Sequence, residues 1–142
     1  MEITQPATQE EFDKYFDLRW RILRKNFGQP KGSEKDDTEG SALHLILKEM
    51  NQVIACCRIH FNSPIQAQLR YMAVEEKNQH SGAGSRLLKG AEEIAKAKGA
   101  TEMILEARDT ALQFYLKNGY ETEKKSHKNF GVQHYTMKKY LI

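Results

Sequence analysis

The sequence has little cysteine, little excess of either charge and no long apolar run. Its two cysteines, Cys56 and Cys57, are adjacent, so a disulfide between them would be strained, and their strand-like surroundings predict buried thiols. The 22 basic and 19 acidic residues leave a net charge of +3, which is too small to indicate a nucleic-acid partner. No apolar run approaches the length of a membrane span, and the N-terminal residues are too acidic and polar for a signal peptide. These features predict a cytoplasmic protein without a membrane partner.

Length and composition indicate one folded domain without a metal centre. A chain of 142 residues is long enough to bury a core, and we expect a single domain over residues 1–142. Its 39% hydrophobic and 29% charged residues are typical of a globular protein. Five scattered histidines and two neighbouring cysteines show none of the usual ligand spacings, so no metal is expected.

The stretch from Leu69 to Gly99 organises the rest of the chain. It reads as a strand ending near Val74, a polar connection, a turn with Gly82 and Gly84, and an amphipathic helix. Such a turn leaves several backbone N–H groups unpaired at the start of the helix, where the helix dipole adds partial positive charge. Glycine lets the backbone approach an anion closely. The pattern therefore predicts a site for a phosphate or pyrophosphate.

A dinucleotide-binding βαβ unit is the competing interpretation of this turn. Glu106 lies about 20 residues further on, as that motif requires. However, Leu87 occupies the position of the third glycine, and the strand ends near Val74 instead of leading directly into Gly82. Both departures argue against a dinucleotide.

Two segments carry a resemblance to a known family. Gln79-His80-Ser81-Gly82-Ala83-Gly84 matches the Q/R-x-x-G-x-G/A signature of the GNAT superfamily of acetyl-CoA-dependent N-acetyltransferases. The segment from Ala111 to Tyr120 resembles the A-x-x-F-Y-x-K-x-G-F/Y segment of the same family. The resemblance is firm over Val53–Tyr120. It implies a GNAT-like mixed α/β (α+β) fold, in which a mostly antiparallel sheet is flanked by helices, and the predicted order α–β–β–β–α–β–α–β–β agrees with it.

The resemblance also implies a cosubstrate and its contacts. The cosubstrate would be acetyl-CoA, held mainly by backbone groups. The pantetheine arm would pair with the strand formed by Met72, Ala73 and Val74. The pyrophosphate would lie on the turn made of Gln79, His80, Ser81, Gly82, Ala83, Gly84 and Ser85.

Tyr115 is the main catalytic candidate, because the family places a tyrosine here near the CoA sulfur as general acid. A phenol with a pKa of about 10 is a weaker acid than a thiol with a pKa of about 8.5, so the proton transfer is uphill by roughly 2 kcal/mol. That difference is small enough to cross during turnover, and a hydrogen bond to the sulfur alone would help. The alternative is that Tyr115 packs beside Phe114 as part of the core.

The general base is less well defined by the sequence. Some branches of the family use a glutamate in the strand before the glycine turn, but here that strand has no acid before Glu75. Glu75 and its neighbour Glu76 are interpreted as solvated charges. The remaining candidates are His60 and His134, of which a resemblance to small bacterial members slightly favours His134. A water chain without a dedicated base is equally compatible with the sequence.

The other elements follow from local signals. Thr8 and Glu11 form a capping box for a first helix that ends near Lys25, and a polar loop occupies residues 28–40. Strands are predicted at 43–50, 52–61, 65–74 and 101–107, and Asp109 or Thr110 is expected to cap a short helix. Two last strands, at 120–123 and 132–139, flank a lysine-rich loop at 124–129. The side chains expected near the acceptor are Arg19, Arg21, Arg24 and the loop from Glu34 to Glu39.

The expected activity is transfer of an acetyl group from acetyl-CoA directly to an amine. Neither cysteine lies in a sequence context recognisable as that of a catalytic nucleophile, which argues against an acyl-enzyme intermediate. The acceptor would be a small molecule or a peptide, and the sequence neither indicates nor forbids a homodimer. A non-catalytic acyl-CoA-binding sensor on the same fold is the alternative, and a structural domain that binds no CoA is a third possibility.

Overall fold

The computed structural model describes all 142 residues, which form seven strands and three α-helices. The helices are α1 (Gln9–Leu23), α2 (Ala83–Ala97) and α3 (Leu112–Lys117). The strands are β1 (Glu2–Thr4), β2 (Leu43–Glu49), β3 (Gln52–Phe61), β4 (Gln66–Val74), β5 (Glu102–Arg108), β6 (Glu121–Asn129) and β7 (Val132–Tyr140). No helix is both long and apolar enough to cross a membrane.

The strands follow the order β1-β2-β3-β4-β5-β7-β6. Strand β4 is parallel to β5, and the pairings of β1 with β2, β2 with β3, β5 with β7 and β6 with β7 are antiparallel. The predicted mixed, mostly antiparallel sheet with flanking helices is therefore confirmed. By its internal contacts the chain divides into two units, Met1–His60 with Tyr71–Ala91, and Phe61–Arg70 with Glu92–Ile142. The expectation of a single domain over residues 1–142 stays a prediction.

The first unit is built around helix α1. The Thr8 side chain accepts a hydrogen bond from the Glu11 backbone N–H at 3.1 Å, as the capping box predicts. Glu11 reaches back one residue further than expected, to the N–H of Ala7 at 2.8 Å. The buried face of the helix packs in a core formed by Tyr15, Leu18, Ile46, Val53, Cys56 and Ala73. Both cysteines are free and buried, which confirms the prediction.

Strand β5 of the second unit has the alternating burial that is typical of a half-buried strand. Along β5 the side chains of Met103, Leu105 and Ala107 are buried, and those between them are partly exposed. The buried Tyr120 hydroxyl donates to Glu92 on α2 at 2.8 Å. Lys139 on β7 donates to the other oxygen of the same carboxylate at 2.9 Å. These two bonds link the C-terminal half of α2 to the strands of this unit.

The lysine-rich segment at 124–129 is not a loop, contrary to the prediction. It belongs to β6, which pairs with β7 from Glu121↔Lys138 to Asn129↔Val132 with two register shifts. The chain turns instead at Phe130 and Gly131, whose φ angles are +51° and +77°. Strand β6 is last in the strand order, and lysines on such an edge discourage pairing with another chain. An edge strand can therefore carry the polar composition that sequence reasoning assigns to a loop.

Two smaller expectations differ from the structure, and one strand lies where none is predicted. Strand β1, of only three residues, was not anticipated. Helix α1 ends at Leu23, two residues before Lys25, and a short 3₁₀ turn follows at Lys25–Phe27. The predicted cap of α3 is wrong, because Asp109–Ala111 forms a 3₁₀ turn and Ala111 occupies the cap position without a side-chain hydrogen bond.

Candidate active site

The glycine turn is shorter than the sequence predicts, because Gly84 already lies inside helix α2 and, of the two glycines, only Gly82 has a positive φ. Helix α2 begins at Ala83, directly after Gly82, whose φ is +90°. A Cβ at Gly82 would meet no atom within 4 Å, so the backbone angle and not lack of space favours glycine there. The N–H of Arg86 donates to the carbonyl of Gly82 at 3.0 Å. The N–H groups before Arg86 precede the helical hydrogen-bond ladder, at the positive end of the dipole.

The predicted pyrophosphate and pantetheine segments both belong to the first unit, and one side chain joins them. The Gln79 side-chain amide donates to the carbonyl of Val74, the last residue of β4, at 3.0 Å. The Ser81 hydroxyl donates to the carbonyl of Asn78. His80 is exposed and has a positive φ of +63°. The Gln79 side chain therefore holds the start of the turn next to the end of β4.

Strand β4 has a local break immediately before the predicted pantetheine segment. Tyr71 has a φ of +56°, which is far from extended backbone and rare for an aromatic residue. The parallel pairing of β4 with β5 lies before this point, from Gln66↔Glu102 to Leu69↔Leu105. Met72, Ala73 and Val74 follow the break.

Two buried arginines and two partly exposed carboxylates, which we call the arginine–carboxylate cluster, are Arg19, Arg58, Asp36 and Glu39. Arg58 donates to both oxygens of Asp36 at 2.7 and 2.9 Å, and to Glu39 Oε2 at 2.8 Å. Arg19 donates to the same Glu39 oxygen at 2.9 Å. Both arginine side chains are 0% exposed. The Arg58 guanidinium holds the pKa of Asp36 well below its usual range, so this carboxylate stays ionised.

A directed chain of hydrogen bonds extends the cluster to His44. Arg19 donates to the Tyr15 hydroxyl, and that hydroxyl lies 2.7 Å from His44 Nδ1. His44 Nε2 lies 2.8 Å from the carbonyl of Glu39, which can only accept, so Nε2 carries the proton and Nδ1 accepts from Tyr15. Burial lowers the pKa of His44 and raises that of Tyr15, which keeps both groups neutral.

These contacts change the interpretation of the charges expected near the acceptor. Arg19, Asp36 and Glu39 bind one another inside the first unit. Arg24 donates from Nε to the carbonyl of Ser33 at 3.1 Å, so it also holds the 28–40 loop. Arg58 and Tyr71 also contact the 28–40 loop, through Asp36. No pattern in the sequence indicated that they meet this loop.

Glu75 is not a solvated loop charge, contrary to the prediction. Arg21 donates to its two carboxylate oxygens at 2.8 and 2.9 Å. This hydrogen-bonded pair lowers the pKa of Glu75. Glu75 therefore anchors the C-terminal end of β4 to helix α1.

Tyr115 lies in the second unit, on α3, and is 7% exposed. Its ring packs edge-to-face against Phe114, at 4.9 Å between centroids, and against Tyr120, at 5.7 Å. Aromatic packing of this kind fixes the direction in which the ring points. The packing agrees with a core role and is equally compatible with a held acid, so the catalytic role of Tyr115 stays a prediction.

His134 also lies in the second unit, on β7, with 9% of its surface exposed. Its Nδ1 is 3.0 Å from the carbonyl of Val132, so Nδ1 carries the proton and Nε2 keeps a lone pair. The ring stacks on His127 with 4.7 Å between centroids. Burial lowers the pKa of His134, so the ring is neutral at pH 7. These features give it the protonation state of a base, although its role stays a prediction.

Glu106 is an acidic neighbour of His134. Glu106 on β5 pairs with Thr136 on β7. The pair of Arg108 and His134 lies two residues further along the same two strands. The Thr136 hydroxyl lies 3.0 Å from both Glu106 oxygens. Glu106 acts to raise the pKa of His134, against the larger lowering by burial. Alternation along paired strands, once the register is known, would have placed these side chains on one face.

Comparison with known proteins identifies the family. The sequence profile of the acetyltransferase (GNAT) domain matches residues 5–141. The chain belongs to the GNAT acetyltransferase family. It is 25% identical to the uncharacterized N-acetyltransferase YjcF of Bacillus subtilis over 132 residues, which is 92% of this chain and 94% of that protein. The expected superfamily and its acetyltransferase class are thereby confirmed.

Solved structures of GNAT proteins have the same fold. One is an aminoglycoside 6'-N-acetyltransferase in complex with coenzyme A, with a TM-score of 0.85 and 13% identity, covering 100% of this chain and 98% of that one. Another is a GNAT family acetyltransferase from Elizabethkingia anophelis with acetyl-CoA bound, with a TM-score of 0.76 and 18% identity, covering 99% and 97%. At these identities the likeness concerns the fold alone.

The residues of the turn suit the diphosphate of an acyl-CoA. Gly82 is exposed, a Cβ there would meet no atom within 4 Å, and the first N–H groups of α2 follow it at the helix start, where an anion is favoured. No group of three or more His, Cys, Asp or Glu side chains is arranged to hold a metal ion.

Proposed function

We propose that this GNAT protein transfers an acetyl group from acetyl-CoA directly to the amine of a small molecule or peptide. The observation that carries the proposal is the turn at Gly82, which joins the end of β4 to the N-terminus of α2. The N–H groups at the start of α2 precede the helical hydrogen-bond ladder and suit a diphosphate, and Met72–Val74 precede the turn as the strand for the pantetheine arm. The bound coenzyme A and acetyl-CoA of the similar structures favour the same cosubstrate.

In the proposed reaction the amine nitrogen attacks the thioester carbonyl carbon, and the bond from that carbon to sulfur breaks. The amine loses a proton, and the departing thiolate gains one. Tyr115 would supply the proton to sulfur. His134 would take the amine proton at Nε2, because its Nδ1 already donates to the carbonyl of Val132.

Direct transfer is favoured over an acyl-enzyme by the state of the cysteines. Cys56 and Cys57 are free and completely buried. Burial raises the pKa of Cys56 to about 12 and that of Cys57 as well, so both remain thiols at neutral pH. A protonated, inaccessible thiol is a poor nucleophile. Two free thiols also suit the reducing cytoplasm proposed for this protein.

The test is release of free CoA thiol from acetyl-CoA across a panel of amines, with wild type, Tyr115→Phe and Tyr140→Phe. Tyr115→Phe keeps the ring and loses the hydroxyl, so we expect kcat to fall about 10²-fold. Tyr140 is largely exposed, and Tyr140→Phe serves as the matched control with unchanged kcat. Equal kcat in all three proteins would refute the role of Tyr115. Turnover by none of them would leave the sensor as the better explanation.

A non-catalytic acyl-CoA sensor is the second candidate, favoured by one observation. The strand before the glycine turn carries Gln66, Gln68 and Arg70, and no acid that would act as base. Thermal unfolding separates the outcomes. Acetyl-CoA at 100 times its Kd should stabilise the fold by about 2.7 kcal/mol, several degrees for a chain of this size. A rise in Tm without turnover supports the sensor. An unchanged Tm with saturating acetyl-CoA refutes both proposals.

A further inference from the structure

The break in β4 at Tyr71 needs an external support. An aromatic residue at a φ of +56° persists only when its surroundings over-determine the backbone conformation. Tyr71 also stands directly before Met72–Val74, so its φ and ψ set the direction in which those peptide groups point. Whatever holds Tyr71 therefore acts on the proposed pantetheine strand.

The support comes from the arginine–carboxylate cluster. The Tyr71 hydroxyl donates to Asp36 Oδ2 at 3.2 Å. Its ring lies under the guanidinium groups of Arg19, at 4.4 Å from the ring centroid, and Arg58, at 4.7 Å. Guanidinium groups at these distances attract the face of an aromatic ring, more strongly where water is excluded. Tyr71 is thus held both at its hydroxyl and at its ring.

Asp36, which receives the Tyr71 hydroxyl, is itself fixed by other contacts. Besides the two bonds from Arg58, it accepts the backbone N–H and the hydroxyl of Thr38 at 2.9 and 2.8 Å. Its own N–H donates to Glu39 Oε2 at 3.0 Å. Asp36 is therefore a rigid point in the 28–40 loop, and a rigid acceptor can fix the position of its donor.

We infer that Tyr71 is a positioning residue for acyl-CoA, and that its bond to Asp36 makes the geometry of the pantetheine strand depend on the 28–40 loop. The inference rests on the proposed function, because it needs acyl-CoA on Met72–Val74. It assigns the loop a structural part in cosubstrate binding. Asp36 acts on the strand through the hydroxyl of Tyr71.

The experiment measures the Kd of two ligands by titration calorimetry on the full chain. One ligand is acetyl-CoA, and the other is 3'-phosphoadenosine 5'-diphosphate, which has the nucleotide and diphosphate but no pantetheine arm. The variants are Tyr71→Phe, Asp36→Asn and their combination. Asp37→Asn is the matched control, since Asp37 is the exposed neighbour and the change in charge is identical.

We expect Tyr71→Phe to raise the Kd of acetyl-CoA about tenfold. Asp36→Asn also weakens the bonds from Arg58, so it should raise this Kd at least as much. Adding Tyr71→Phe to Asp36→Asn should raise it no further, because the bond between the two side chains is then already lost. The Kd of the armless nucleotide should stay within twofold of wild type. Asp37→Asn should change neither Kd. Thermal unfolding of each variant verifies that the titrations are made on folded protein.

Two results would overturn the inference while leaving the proposed function intact. One is an acetyl-CoA Kd for Tyr71→Phe equal to that of Asp37→Asn. The other is an equal rise in the Kd of both ligands, which would indicate general loosening of the fold. Failure of wild type to bind acetyl-CoA would instead overturn the proposed function, and the inference with it.

Discussion

Replacement of Arg58 by methionine tests how much the buried charges stabilise the fold. Methionine keeps a long side chain, so the change removes three hydrogen bonds of 2.7, 2.8 and 2.9 Å without opening a large cavity. Removing one partner of a buried ion pair costs about 3–5 kcal/mol, because the remaining charge is stranded. Asp36 and Glu39 are partly exposed and can regain some water, so we expect a loss of about 3 kcal/mol in the free energy of unfolding.

Arg21 provides the matched comparison, because its hydrogen bonds are nearly the same and its burial is not. It also makes three contacts with two carboxylates, at 2.8, 2.9 and 2.8 Å, but its side chain is 35% exposed. Exposed pairs of this kind contribute about 0–1 kcal/mol. Arg21→Met should therefore lower Tm by at most about 3 °C, and Arg58→Met by about 9 °C, at roughly 3 °C per kcal/mol.

The assay is unfolding in guanidinium chloride, followed by the fluorescence of Trp20, the one tryptophan, and by far-UV circular dichroism. Trp20 lies on α1, and its indole N–H donates to the carbonyl of Gln29 at 3.0 Å, so it reports on the first unit. Combining Arg58→Met with Asp36→Asn should cost less than the sum of the two changes, because the stranded charge is then smaller. If the losses in the free energy of unfolding caused by Arg58→Met and Arg21→Met agree within about 1 kcal/mol, the reasoning from burial is wrong.

Two further predictions concern the second unit and the dependence on pH. Tyr120→Phe removes a hydroxyl from the buried Glu92 carboxylate and should cost about 1–3 kcal/mol in urea unfolding, whereas the exposed Tyr140→Phe should change stability by less than about 0.5 kcal/mol. Equal effects would contradict the burial argument. Because Arg58 holds the pKa of folded Asp36 below its ordinary 3.8, the unfolded chain takes up that proton first on acidification. The contribution of Asp36 to stability is therefore complete above about pH 4 and is lost as the pH falls further. Asp36→Asn should reduce the decrease in the free energy of unfolding below pH 4. An unchanged dependence of that free energy on pH would refute this.

The glycine turn could be predicted from sequence because local chemistry determines it. Gly82 stands where φ is positive, Ala83 opens a helix with a clear apolar stripe, and Val74 closes a strand. Each of these signals depends on neighbours within a few residues. The family resemblance added the expected ligand, and it depends on the same segments.

The arginine–carboxylate cluster could not be predicted, because its partners are distant in sequence. Arg58 lies in a run of apolar strand residues, and nothing local indicates that Asp36 neutralises it. The lysine-rich β6 was missed for a related reason. Side chains on both faces of β6 are largely exposed, so Lys124, Lys125 and Lys128 carry no alternating apolar signal. Long-range pairing decides both features, and a single sequence does not record it.

The division of the chain into Met1–His60 with Tyr71–Ala91, and Phe61–Arg70 with Glu92–Ile142, has a consequence for synthesis on the ribosome. All residues of the first unit have been made once Ala91 has left the exit tunnel. Phe61–Arg70 must wait for the last third of the chain before its own unit is complete. We therefore expect folding to proceed from the first unit to the second during translation. Because the two units are interleaved in sequence, a single cut after Ala91 would keep all residues of the first unit in one fragment but would divide the second unit.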